Sequence, residues 1–334
     1  MKRAKEKSVK FNRSNGASYT SNDKLFYALL IALPILQLIV FYIIVNFRSF
    51  LMSFQVYNGS TSTFEWTGTQ TGSNGEIITK SGLQINFEWL TNLMQGNDFW
   101  MYLKNSILVF CFATLAGLFL AILFSYYLYK RRLGHNFFKF MLFMPALLPV
   151  IFLSTLYKKF IGEGLPSFLN IVFHSTGMNN VFTTYCLYGN NANNDLAIVI
   201  TLFSIWISFG TQVLVYTGAM DQISSEVIES AKLDGASSSR EFFSIILPQI
   251  IPAMSTFIIG GVAGIFSNRN NIASFIGFTS NTCGTFGYYL YSLIAVDVSA
   301  KDMWTKASFL GLILSIIGLG LNFIVRKILK KYTD

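Results

Sequence analysis

The chain is 334 residues long, 52% hydrophobic and only 12% charged, with 33 Phe and 16 Tyr. A soluble domain carries about 25% charged residues, so this composition excludes an ordinary water-exposed globule and fits a chain solvated by lipid. The net charge of +9 would suit nucleic acid, but the basic residues sit at the ends of apolar runs, a membrane pattern rather than a phosphate-tracking groove, and no nucleic-acid partner is expected.

Residues 1–24 form a basic tail with seven Lys or Arg, suited to an anionic cytoplasmic leaflet. Six runs follow that can cross a hydrocarbon core of about 30 Å, which takes about 20 helical residues. They are Leu25–Val45, Asn105–Tyr129, Phe137–Tyr157, Leu196–Gly218, Leu247–Phe266 and Ala307–Val325, and none contains Asp or Glu. Backbone in lipid must satisfy its own hydrogen bonds, so all six are read as helices and the fold class as an all-α membrane protein. The first run (residues 25–45) is too long for a signal-peptide core and no small-x-small cleavage site follows it, so it is read as a retained span.

Residues 46–102 then form the longest loop outside the membrane. Asn58-Gly59 and Ser73-Asn74-Gly75 are turn signals between β-branched stretches, so a small hairpin-like cap is expected around Val56–Phe87. Residues 103–326 make a five-helix core that includes a long loop, 219–248, and residues 327–334 are a second basic tail. The next outer segment, Lys158–Asp195, opens with Gly162-Glu163-Gly164-Leu165-Pro166; a short interfacial helix over Ser167–Phe173 and a polar tip at Asn190–Asn194 are expected. In the third, Ser267–Lys306, Tyr288, Tyr289 and Tyr291 suit the membrane interface. Basic residues set the orientation: seven in the tail, four after the second span, two after the fourth and four at the C-terminus place 17 of the 25 on one side. Both termini are therefore expected to be cytoplasmic.

Chemistry-bearing clusters are missing from the sequence. Cys111, Cys186 and Cys283 follow no disulfide framework and are read as thiols, with a Cys186–Cys283 bridge left open. His135 and His174 fall on opposite sides, so no metal site is expected. No nucleophile–base pair appears, and no catalytic residue is assigned. There is also no Gly-x-x-x-x-Gly-Lys-Ser/Thr phosphate loop, so the chain is expected to bind no cofactor of its own.

The loop after the fourth span carries the most specific signal. It runs Ser225-Glu226-Val227-Ile228-Glu229-Ser230-Ala231-Lys232-Leu233-Asp234-Gly235-Ala236, then on to Leu247-Pro248. Ser224 or Ser225 is a ready N-cap, Gly235 supplies a left-handed stop, and Ser238 with Glu241 has capping-box spacing for a second helix. Small side chains at Ser230, Ala231, Gly235 and Ala236 let a partner's backbone approach, while Glu229 and Asp234 offer charge to a basic partner.

This loop resembles the EAA loop of ABC-importer permeases: Glu229-Ser230-Ala231, Gly235, Ile245, Leu247 and Pro248 fit its spacing, with Ser230 in place of the central alanine. Asp234-Gly235-Ala236 is similar to the sugar-permease branch, the relatives of maltose and glycerol-phosphate permeases. Weaker likenesses at Asp98-Phe99-Trp100, Leu103–Leu108, Phe143-Met144-Pro145 and Thr285–Leu290 extend it from Asp98 to the C-terminus. The resemblance implies the type I importer-permease fold. It also implies a second homologous permease, two copies of a cytoplasmic ATPase that holds ATP and Mg, an extracytoplasmic solute-binding protein and a carbohydrate substrate, a di- or oligosaccharide. In such systems ATP-driven closure of the ATPases swings the spans from inward- to outward-facing. An amphipathic interfacial helix with no partner is the bland alternative for the loop.

For the substrate path, polar residues within spans usually face a cavity or another helix. Ser204, Ser208 and Thr211 share one face of the fourth span, with Gln212 and Trp206 nearby, and sugar permeases resembling this one bind substrate in the same stretch. Helix–helix hydrogen bonding is an equal alternative for each. In the fifth span Gly260-x-x-x-Gly264 reads as close packing, while Gly261 and Gly264 would alternatively leave room for a sugar ring. Pro248 and Pro252 either bend this span or occupy its first turn, and Asn268, Asn270 and Asn271 read as a solvated loop rather than a substrate contact. Two other readings stay open: an ABC importer for a non-sugar solute, and an ATP-independent secondary transporter, which the lack of intramembrane carboxylates disfavours.

Overall fold

In the computed structural model, residues 21–71, 76–165, 167–168, 171, 193–277, 284–296 and 299–333 are described. The expected tip at 190–194 and helix at 167–173 lie largely outside these residues, as do the turn at 73–75, His174, Cys186 and Cys283. The chain divides into two compact units, Met1–Leu51 and Met52–Asp334. The first is built on one long helix, α1, α-helical over Ser21–Gln37 and Val45–Met52 with a π-helical stretch, Leu38–Ile44, between.

The second unit opens with two antiparallel hairpins. β1 (Val56–Asn58) pairs with β2 (Thr63–Glu65) in the register Tyr57 to Phe64, and β3 (Thr67–Thr71) pairs with β4 (Ile77–Ser81). Asn58 closes the first by accepting from the Ser60 N–H at 3.0 Å and donating to Glu65, the local bonding that makes Asn a turn residue. α2 (Gly82–Gln95) starts on a capping box of Ser81 and Gln84, which satisfies two orphan helix donors at once.

The span bundle follows as α3 (Asn97–Tyr129), α4 (His135–Leu147), α5 (Val150–Gly164), α6 (Asn193–Asp221), α7 (Ser225–Leu233), α8 (Ser238–Gly264), α9 (Ile272–Ile276), α10 (Phe286–Ala295) and α11 (Lys301–Thr333). Among the described residues five helices, α1, α3, α6, α8 and α11, are long and apolar enough to cross a membrane, and α4 with α5 makes a sixth if counted as one span. The expected single helix over Phe137–Tyr157 is therefore corrected: it breaks at residues 148–149 with a bend of 108°. Leu148 is extended, at φ −98° and ψ 149°, because the Pro149 ring clashes with a helical residue before it.

The other spans overrun their apolar runs. α3 begins at Asn97, α8 at Ser238, and α11 continues from Lys301 to Thr333. Helix propensity does not end where lipid ends, so the longer helices contain charged residues that the apolar windows leave out, Glu241 among them. α6 packs on α3, α4 and α8, and α8 packs on α11. Among the described residues three buried clusters hold the unit together. The largest joins Leu118, Ile122 and Leu128 of α3, Val213, Tyr216 and Met220 of α6, Ile228 of α7 and Phe242, Ile246 and Ile250 of α8.

Candidate functional site

The elbow between α6 and α8 is built by caps at each bend. The Ser224 hydroxyl accepts from the Glu226 N–H at 3.3 Å and starts α7. At its end the Ala236 N–H donates to Ala231 O at 2.9 Å, and the Gly235 N–H donates to Lys232 O at 3.0 Å. That pair of bonds is the Schellman stop, and it needs a left-handed residue between. Gly235 provides it at φ +79°.

The second cap differs from the one expected. Ser237, not Ser238, is the N-cap of α8, and its hydroxyl accepts from the Arg240 N–H at 3.3 Å. Glu241 is then one position too far along to close a capping box. It turns under the elbow instead, only 3% exposed, and pairs with Lys130 Nζ at 2.5 Å. Beside it the Tyr126 hydroxyl donates to Ser238 O at 3.1 Å. The Tyr126 and Phe242 rings lie 4.7 Å apart, and the Lys130 ammonium sits 5.4 Å over the Tyr126 ring. Burial alone would lower the Lys130 ammonium. The hydrogen bond to Glu241, with Tyr126 and the Glu241 charge beside it, holds it above the ordinary lysine value.

Ile228 is the one buried residue of α7, and it plugs the elbow into the large cluster. Burying an isoleucine contributes about 1.5–3 kcal/mol, so a single side chain seats the helix while its other faces stay in solvent. Glu229, Ser230, Asp234 and Gly235 are exposed, and Ala231 and Ala236 half-buried. The structure brings these six onto one knob. Leu233, 88% exposed, adds an apolar tip that the motif alone does not mark. Leu247 and Pro248 are not on the knob. They follow a π-helical stretch, Phe242–Ile246, in the shaft of α8, where Leu247 packs on the cluster and Pro248 lies in the first turn after the stretch.

The polar residues of α6 divide. Ser204 is tied to the loop after α8: its hydroxyl donates to Asn270 O at 3.3 Å and accepts from Asn271 Nδ2 at 3.1 Å. Asn270 in turn donates to Thr201 Oγ1 at 3.0 Å and is buried, so the reading of Asn270 as solvated is corrected. Both asparagines are left-handed, at φ 48° and 56°, a region Asn tolerates. Trp206 is turned to another side and stacks on Tyr157 with ring centres 6.2 Å apart.

Ser208 donates to carbonyls of its own helix, Ser204 O and Ile205 O, and Thr211 is exposed. Gln212 Oε1 and, one turn on, the Tyr216 hydroxyl are buried with no hydrogen-bond partner among the described residues. Gly261 packs, since a Cβ there would meet the Thr114 side chain at 2.5 Å, whereas Gly260 and Gly264 face open space. The packing expected of the Gly260/Gly264 pair is thus found at Gly261. An open cleft of about 610 Å³, lined by Gly218, Gln222, Gln249 and Pro252 among others, lies between α6 and α8 at the elbow end. Among the described residues no group of His, Cys, Asp and Glu is arranged to hold a metal.

Residues 113–333 match the family described as the binding-protein-dependent transport system inner membrane component. The multiple sugar-binding transport system permease protein MsmF of Streptococcus mutans is 25% identical over 289 residues, covering 85% of this chain and 88% of that protein. The arabinooligosaccharides transport system permease protein AraP of Bacillus subtilis is 26% identical over 252 residues, 73% of this chain and 77% of that one. A chain in the crystal structure of a bacterial alginate ABC transporter, in complex with an alginate pentasaccharide-bound periplasmic protein, superposes with a TM-score of 0.71. It covers 94% of this chain and 96% of its own, at 17% identity, a likeness of fold.

Proposed function

The chain belongs to the family of binding-protein-dependent transport system inner membrane components, and from that premise we propose that it is one permease half of an ATP-driven importer for a di- or oligosaccharide. It is a multi-pass protein of the cytoplasmic membrane with both termini on the cytoplasmic side. A second homologous permease completes the pathway, and two copies of a separate ATPase bind ATP and Mg and dock on the elbows. An extracytoplasmic solute-binding protein delivers the sugar. The relatives named for sugar and arabinooligosaccharide transport support the choice of cargo.

One observation carries the reading: a helix held from beneath by Ile228, stopped at Gly235 and otherwise exposed, with the apolar tip of Leu233 and the carboxylates of Glu229 and Asp234 outward. A helix this short is marginal by itself in water, so one that keeps its outer face free suits insertion into a cleft on another subunit. Within the bundle, Ser208, Thr211 and Gln212 form the face we assign to solute, since Ser204 and Trp206 are engaged by other elements while Ser208 bonds only within its own helix. Hydroxyls and an unpartnered amide oxygen match sugar hydroxyls, and the spans offer no basic side chain there for an anionic cargo.

The test is reconstitution of the chain with a partner permease, an ATPase and a binding protein from the same cell, followed by ATP hydrolysis across a saccharide panel. Saccharide-dependent stimulation is expected. Uptake that proceeds with the ATPase omitted would replace this reading with secondary transport.

A further inference from the structure

The elbow is continuous in sequence with α6 and α8, so chain connectivity alone ties it to those two helices. α3 is a different case. Its end meets the elbow across 111 residues of sequence, through the Lys130–Glu241 pair, and across 112 through the Tyr126 hydroxyl and Ser238 O. We propose that Lys130 and Glu241 are positioning residues that make α3 and the elbow move as one body, so that a displacement of the elbow enters the bundle through α3 as well as α6 and α8. This inference rests on the coupling role proposed above.

Three features support it. First, the pair joins two helix ends of opposite polarity: Lys130 is the C-cap of α3 and Glu241 lies in the first turn of α8. Each charge complements its own helix dipole, so the contact is reinforced from both sides. Second, the chain turns sharply just past Lys130, with Arg131 at φ 46° and Gly134 at φ 79°, which fixes Lys130 at the tip of the span. Third, a buried ion pair is a poor device for stability, because apolar residues of similar volume often do as well or better. What the ion pair adds is direction. An apolar contact resists compression and separation but lets the surfaces slide and turn, whereas a charged hydrogen bond at 2.5 Å, with Glu241 3% and Lys130 21% exposed, is directional and also resists rotation.

The experiment uses the complete transporter in proteoliposomes and compares E241Q, K130M/E241M and K130E/E241K with the native chain. It reads sugar moved per ATP hydrolysed, Tm, and the distance between spin labels at R132C and S239C with and without nucleotide. For E241Q and K130M/E241M the transport ratio is expected to fall roughly 5- to 150-fold, the range of a coupling free energy between sites. The double-methionine variant should keep its Tm, which separates transmission from folding. Charge reversal should restore the ratio in part, since both dipoles then oppose the pair. The label distance should stay constant with nucleotide in the native chain and shift in K130M/E241M. A native ratio and a constant distance in K130M/E241M would overturn the inference. If the native assembly shows no sugar-stimulated ATP hydrolysis, the coupling role has failed, while the label distances still decide whether α3 and the elbow move together.

Discussion

The conformation of Gly235 offers the sharpest test of the elbow. At φ +79° an L-residue pays about 1–2 kcal/mol of backbone strain, and a Cβ there meets nothing within 4 Å. Gly235→Ala should therefore cost only that strain, and Gly235→Asn less, because asparagine visits the left-handed region readily. Gly235→Pro is different in kind: its ring fixes φ near −65° and removes the N–H that donates to Lys232 O at 3.0 Å, a loss of about 3 kcal/mol or more. The stop unravels, and Ser230 to Ala236 no longer form a knob. Co-purification of the ATPase and sugar-stimulated ATP hydrolysis are the assays. Asn and Ala variants should retain both, with Ala reduced, while the Pro variant inserts normally but loses both. A Pro variant with native stimulation, or an Ala variant as damaged as the Pro one, would refute the role given to this bend.

Other residues make further tests. Ser208→Leu places a branched apolar group on the α6 face assigned to solute and should lower uptake without loss of assembly; unchanged uptake kinetics would remove that face from the pathway. At Gly210 an added Cβ would lie 1.9 Å from Leu142 O and 3.0 Å from Phe143 Cα, so Gly210→Ala must push α6 off α4 at a cost of about 1–3 kcal/mol. Thermal unfolding in detergent should show a Tm several degrees lower, and a native Tm would contradict the close approach. In the first hairpin the Thr61 hydroxyl, and with it Asn58, donates to Glu65 and holds its carboxyl below the ordinary value. A lowered folded pKa means that the stabilisation is present above the ordinary range and lost as pH falls through the folded value. Exchange protection over residues 56–65, taken relative to the intrinsic rate at each pH, should therefore hold steady down to about pH 4 and fall only below it; loosening at pH 6 would exclude Glu65 as the cause.

What the sequence makes legible here follows from what is local. Apolar runs report lipid, so the spans are visible, and the capping signals at Ser224 and Gly235 are visible because caps act within a few residues. The bend at Leu148–Pro149 was open to the same reasoning, since a residue before proline avoids the helical region; the surrounding apolar run masks it. Lys130 and Glu241 were out of reach for another reason. Lys130 reads as an ordinary charge at a span end and Glu241 as a capping-box partner of Ser238, and only the fold places them together over 111 residues. A shift of one position in the Ser237 cap also decides whether Glu241 faces its own backbone or α3. Ser204 illustrates the converse: one helical face groups it with Ser208 and Thr211, but the left-handed pair Asn270 and Asn271 takes its hydroxyl.

That last contact bears on how α6 can work. Its end away from the elbow is fastened by Thr201 and Ser204 to the asparagine pair. Its elbow end is packed through Tyr216 and Met220 against Ile228 and Ile246. The residues assigned to solute, Ser208 to Gln212, lie between a tied end and a seated one. Ser125 Oγ of α3 also donates to Val213 O at 3.0 Å, just past Gln212. On the coupling proposed above, a displacement of α7 would reach the face assigned to solute through a close-packed cluster that transmits strain with little compression. α3 touches both stations of that route, the Val213 carbonyl and the Glu241 carboxylate, which is why the span joined to the elbow only by side chains is the one placed to set the two in step.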